Sequence, residues 1–135
     1  MAAAVLVDSN VILDIFTNDP IWSSWSSKTL AAFADDAVLV INPLIYAEVS
    51  VRFDSIEDLE NALPAAIFRR DPLPYEAGFL AAKAFVTYRR GGSGTPLPDF
   101  YIGAHAAVAG FRLLTRDIRR YRTYFPKLEI VSPAY

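Results

Sequence analysis

The sequence predicts an α/β fold: a three-layer α/β/α sandwich around a central parallel sheet of four to five strands, built as one domain over residues 1–135. Short β-branched apolar runs alternate with longer segments of helical periodicity along the chain, the pattern of successive βαβ units. The runs Val5-Leu6-Val7 and Ala37-Val38-Leu39-Val40-Ile41 are apolar at every position, as strands covered on both faces tend to be. Asp8 and Asp117 each fall directly after a strand-like run, at the carboxyl edge where open parallel sheets bind ligands.

Residues 4–8 form the first expected strand, and residues 10–17 a short helix ended by Asn18-Asp19-Pro20. A longer helix is expected over 22–35, with Trp22, Trp25, Leu30, Phe33 and Ala34 roughly on one side. The second strand is 37–41. Asn42-Pro43 supplies an amide cap and a first-turn proline for a helix running to about Phe53. Ser55 and Asp58 have capping-box spacing for another helix, with Asp in the usual place of Glu. Residues 66–70 are read as a short edge strand and Tyr75 to about Arg89 as a long amphipathic helix. The loop from Arg90 to Pro98 is a flexible rim; it lacks the lysine and the strand–helix context of a phosphate-binding loop. Asp99 starts an alanine-rich helix that ends at Gly110. A strand over 111–115, a short basic helix over 118–124 and a last strand over 128–131 complete the chain.

Four acidic residues are candidates for a common pocket: Asp8, Glu48, Asp99 and Asp117. An aspartate near a helix start is often only a cap, worth typically ~1 kcal/mol, and taken singly Asp99 and Asp117 favour that reading. Glu48 does not fit it. Its helix is otherwise almost wholly apolar (Leu44, Ile45, Tyr46, Ala47, Val49, Val51, Phe53) and is expected to be buried on most sides. The alternative for Glu48, a helical pair with Arg52, contributes only ~0.2–0.5 kcal/mol. Carboxylates gathered in one pocket repel and hold protons until a cation joins them. With one or two divalent ions the same cluster suits phosphodiester hydrolysis and needs no protein nucleophile. Ser9, Asn10 and Thr115 are candidates for orienting the carboxylates, ordinary capping being the equal alternative for the first two. Asp14 lies near the pocket rim at most. His105, about 240° around the helix from Asp99, points away from it and reads as a packing or interface residue.

Composition narrows the chemistry. The chain has no cysteine and one histidine, so disulfides, thiolate sites and multi-histidine zinc sites are excluded, and an oxygen-held Mg2+ or Mn2+ is favoured. The absence of cysteine is compatible with a cytoplasmic location. No signal peptide is evident, and no apolar run is long enough to span a bilayer. Mean hydropathy is high at +0.25, so part of the apolar surface is expected to face a partner. Net charge is only −2, yet Arg112, Arg116, Arg119, Arg120 and Arg122 crowd one segment. Of these, Arg112, Arg116, Arg119 and Arg120 are candidates for gripping a nucleic-acid backbone.

The motifs resemble those of the PIN-domain nucleases. Val7-Asp8-Ser9-Asn10 looks like the family's opening motif, Glu48 matches its helical glutamate, and Pro98-Asp99 followed by Phe-Tyr-Ile-Gly-Ala-His looks like its third motif. Leu113-Leu114-Thr115-Arg116-Asp117 is similar to the fourth, and Tyr121, Tyr124-Phe125-Pro126 and Ile130-Val131 continue the pattern of VapC-type toxins. The resemblance covers nearly the whole chain in the right order. It implies a PIN fold, a Mg2+- or Mn2+-dependent endoribonuclease with Asp8, Glu48, Asp99 and Asp117 as metal ligands, and a homodimer. It also implies a VapB-type antitoxin whose arginine blocks the site, with Trp22 and Trp25 as candidates for the groove; core packing is as good a reading of the two tryptophans. Alternatives are a PIN nuclease of RNA processing without an antitoxin and a non-catalytic RNA- or partner-binding PIN module. A phospho-acceptor receiver domain is disfavoured, because Asp8 lacks an adjacent acid and Lys127 precedes the last strand rather than following it.

Overall fold

The structure, a computed structural model, describes residues 3–92 and 94–133, the side chain of Arg90 apart. Five strands form one sheet in which every pairing is parallel: β1 (Ala3–Val7), β2 (Ala37–Ile41), β3 (Phe68–Arg70), β4 (Arg112–Leu114) and β5 (Ile130–Val131). Their order across the sheet is β3-β2-β1-β4-β5. The chain therefore winds outward from β1 to one edge, returns, and winds to the other. With that order, the right-handed rule for parallel crossovers puts the helices of the two halves on opposite faces. The first half carries α1 (Ser9–Phe16), α2 (Ser23–Asp36), α3 (Pro43–Ser50) and α4 (Ile56–Ala62). The second carries α5 (Tyr75–Arg90), α6 (Leu97–Ala109) and α7 (Ile118–Tyr124).

The reversal of winding opens a crevice beyond the carboxyl ends of β1 and β4, which pair in register from Val5–Arg112 to Val7–Leu114. The main core encloses the sheet and includes Val5, Leu6, Val7, Val40, Ile41, Leu113 and Leu114. A second cluster joins α5, α6 and the α7 exit through Ala77, Ala81, Phe100, Ala104 and Phe125.

Local chemistry accounts for most boundaries. Asn42 Oδ1 accepts from the Ile45 amide at 3.0 Å and Ser55 Oγ from the Asp58 amide at 3.1 Å, so both expected caps are formed. Gly110 closes α6 in the left-handed region, at φ 72°. Four expectations need correction. α3 stops at Ser50 rather than Phe53. Ser50 Oγ bonds back to the Tyr46 carbonyl at 2.6 Å, and the Arg52 and Phe53 amides bond three residues back in a tightened last turn. Nor is α3 buried on most sides: only Ile45 and Val49 are, while Ala47 faces solvent and Val51, just past the helix, is 81% exposed. α6 begins at Leu97, two residues before Asp99, because Pro96 and Pro98 fit a helix start that has no amide to lose. Asp14 is buried rather than at a rim. It accepts two bonds from Arg116 at 2.5 and 2.8 Å and one from Ser26 Oγ at 2.8 Å.

Candidate active site

Asp8 is the last residue before α1 and its N-cap, and its amide extends the β1–β4 ladder by donating to the Leu114 carbonyl at 2.9 Å. The side chain is 5% exposed. A buried carboxylate needs donors, and this one has four. Oδ1 accepts from the Ser9 amide at 2.8 Å. Oδ2 accepts from Thr115 Oγ1 at 2.8 Å, Tyr121 OH at 3.1 Å and Asn10 Nδ2 at 3.4 Å. Thr115 is fully buried one residue past β4, where its Oγ1 also accepts from Asn10 Nδ2 and from the Asp117 amide, at 3.2 and 3.0 Å. Asn10 Oδ1 in turn accepts from the Arg116 amide at 3.2 Å. The exits of β1 and β4 are thereby cross-tied through side chains.

Glu48 comes to the same crevice from α3 and accepts from Ser9 Oγ at 3.2 Å. Asp99 lies in the first turn of α6, 8% exposed, and α6 has no side-chain cap, so Asp99 is not one. Asp117 is the N-cap of α7, accepting from the Arg120 amide at 3.5 Å. Arg120 bridges the last two acids: Nη1 lies 3.1 Å from Asp99 Oδ2 and Nε 3.1 Å from Asp117 Oδ2.

Protonation reports the crowding. Burial pushes the Asp8 carboxyl above its usual range, the bonds from Thr115, Tyr121 and Ser9 partly oppose that, and the Asp99 charge adds to it. Burial raises Glu48 too, followed by the charge of Asp8; the Ser9 hydroxyl opposes, Asp99 adds, and Arg120 opposes. Asp99 is raised by burial, held back by Arg120 and raised further by Asp117. Burial works against the charge on Arg120, yet Asp99 and Asp117 outweigh it.

A family model for the PIN domain matches residues 5–126. The chain belongs to the PIN-domain family. Solved structures share the fold. VapBC2 from Rickettsia felis, bound to a DNA fragment from its promoter, matches with TM-score 0.75 and 15% identity over 96% of this chain and 98% of that one. VapBC-1 from nontypeable Haemophilus influenzae matches with TM-score 0.73 and 18% identity over 96% and 97%. A toxin–antitoxin complex from Klebsiella pneumoniae matches with TM-score 0.72 and 20% identity over 96% and 98%. No curated protein matches the chain.

In this PIN domain the crevice brings together Asp8, Glu48, Asp99 and Asp117 with Ser9, Asn10 and Thr115. Of the four arginines, only Arg120 touches the acids. Arg119 is exposed on α7. Arg116 is committed to Asp14 and lies 5.4 Å over the Trp22 ring. Arg112 opens β4 at the far end of the sheet, 4.8 Å over Phe33. It also lines a cavity of about 510 Å³ whose one acid is Glu129, so that cavity lacks the crevice's chemistry. His105 is 1% exposed and bonded through Nδ1 to Asn42 Nδ2 at 3.0 Å; burial lowers its pKa. Sequence reasoning missed Tyr121 as a support of Asp8. Its signal was the spacing: four residues after Asp117, it returns to the same helix face one turn on.

As placed, no three acidic side chains among the described residues close on one point tightly enough to hold an ion. The fit to a divalent cation rests on donor chemistry instead. Four carboxylates from four elements, with no soft ligand beside them, are mutually repelling and suit a hard ion.

Proposed function

We propose that this chain is a Mg2+- or Mn2+-dependent endoribonuclease, the toxin of a VapBC-type toxin–antitoxin pair. The observation that carries the reading is the convergence of Asp8, Glu48, Asp99 and Asp117 at the crevice of a PIN fold, where the charges of Asp8, Asp99 and Asp117 each raise the pKa of a neighbouring acid. These four would hold the ion. A divalent ion bound there supplies Lewis acidity, activating a water and stabilising the 3′ oxygen that leaves phosphorus. The chain's own residues set the stage. Thr115, Tyr121, Asn10 and the Ser9 amide hold Asp8 in one orientation, and Ser9 Oγ turns Glu48 toward it. Arg119 and Arg120 bring cations to the rim for the RNA backbone.

The partner reading draws on the names of the solved neighbours and on exposed apolar side chains. Phe16, Ile21 and Val51 are 48%, 75% and 81% exposed near the first half's helix ends, and Tyr75, Phe79 and Val86 are 94%, 68% and 44% exposed along α5. A homodimer contact and an antitoxin contact would cover such patches in a cytoplasmic protein. No described helix is long and apolar enough to cross a membrane.

The test compares wild type with Asp8→Asn, purified with Mn2+ and mixed RNAs and induced in growing cells. Metal-stimulated RNA cleavage should fall at least ~100-fold in the variant, and growth arrest should follow wild type alone. Equal cleavage by a folded Asp8→Asn, or no metal-stimulated cleavage by wild type, overturns the nuclease. Cleavage without growth arrest assigns the chain to RNA processing instead.

A further inference from the structure

We propose that Arg120 is a built-in, displaceable counter-ion, whose guanidinium neutralises Asp99 and Asp117 until a divalent ion takes those oxygens, and so sets the ion concentration at which the site loads. This rests on the metal reading above and adds a regulator from within the chain. Among the described residues, Arg120 is the sole cation in ion-pair contact with any of the four acids. It touches acids on two different elements, the first turn of α6 and the cap of α7.

The contrast with Arg116 shows why one arginine is fixed and the other exchangeable. Arg116 grips a single buried carboxylate with two bonds and lies over an aromatic ring. Removing it would strand Asp14, which is 2% exposed. Arg120 makes one contact to each of two acids, and its side chain is 38% exposed, so water is at hand when it leaves. The pair with Asp117, whose side chain is 37% exposed, is weak, so the contact with Asp99, 11% exposed, is the one that a divalent ion has to replace. The backbone beneath is not free to follow, because the next residue, Tyr121, is 1% exposed and bonded to Asp8. Displacement is therefore a side-chain motion on a fixed helix. The charges favour it: one guanidinium offsets a single unit of the four negative charges, whereas a divalent ion offsets two.

Mn2+ binding to the full chain, read from free Mn2+ by electron paramagnetic resonance, tests this without RNA or turnover. Arg120→Gln should bind Mn2+ about three- to tenfold tighter than wild type, from the loss of two competing ion pairs. Equal or weaker binding by Arg120→Gln, with wild type binding intact, overturns the counter-ion and leaves the metal site standing. No Mn2+ binding by wild type removes the metal reading itself. A second readout needs no variant. On addition of diamagnetic Mg2+, the Arg120 Nε–H resonance of wild type should shift and lose protection from exchange; an unmoved signal in a Mg2+-loaded protein also overturns the proposal.

Discussion

Tyr121 spends a phenol on a carboxylate inside the protein. Its OH donates to Asp8 Oδ2 at 3.1 Å, and burial together with the nearby charges of Asp8 and Asp99 pushes its own pKa well above the usual value. It therefore stays a donor throughout the accessible pH range. Tyr121→Phe keeps the ring and removes that donor, leaving Asp8 Oδ2 with Thr115 and a long contact from Asn10. Mn2+ affinity should weaken by about tenfold, the scale of a lost supporting bond behind a proposed ligand, with the melting temperature changing little. Unchanged Mn2+ binding by Tyr121→Phe would reduce Tyr121 to packing. The acids were legible in part: strand exits betray Asp8 and Asp117, while Glu48 was singled out by an apolar helix that proves not to be buried on most sides. Arg120 was visible only as one basic residue among five. Its distinction from Arg116 depends on Asp14 and Trp22, which the fold brings up from a distant part of the chain.

Elements place these residues, and α7 depends on a gap in α6. A Cβ at Gly103 would sit 2.4 Å from Phe125 Cε2 and 3.0 Å from Tyr121 Cδ1. Glycine there costs helix propensity, yet it lets α7 lie close enough for Tyr121 to reach Asp8. Gly103→Ala should destabilise the protein by about 1–3 kcal/mol through overpacking and lower Mn2+ affinity with it, measured by urea unfolding and Mn2+ titration. Retention of both would mean that Phe125 yields freely. α2, β2 and α7 were readable to within a residue at most boundaries, because periodicity and flanking turns agree there. The outer strands are shorter than their apolar runs imply. The Ile67 and Phe68 amides are engaged in a turn on the Pro64 carbonyl, and β3 begins only at Phe68. The early start of α6 was hidden because two prolines read as loop before they read as a first turn.

At the scale of the whole molecule, local patterns gave a parallel sheet but could not order its strands. That order is set by which strands pair across the sheet, and it turns acids scattered over more than a hundred residues into one crevice. Assembling them has a cost that the fold bears when no ion is bound. Glu48 shows it cleanly. Its folded pKa lies above the model-compound value of 4.5, through burial and the charge of Asp8. Below about pH 4, Glu48 holds its proton in both folded and unfolded chains and ionisation changes nothing. As pH rises through 4.5, the unfolded chain releases the proton first, so stability falls until the folded pKa is passed, and above that the whole penalty is present. Glu48→Gln keeps an acceptor for Ser9 Oγ and carries no charge. In EDTA it should melt higher than wild type at pH 7, by a degree or two on the scale of ~0.5 kcal/mol for one solvent-screened charge, and no higher well below pH 4.5. Mn2+ at pH 7 should narrow or invert the gap, because wild type alone retains all four of the proposed ligands. A Glu48→Gln protein that melts below wild type in EDTA at pH 7 would mean that Glu48 is a net stabilising residue, and that these carboxylates are not held together against their own repulsion.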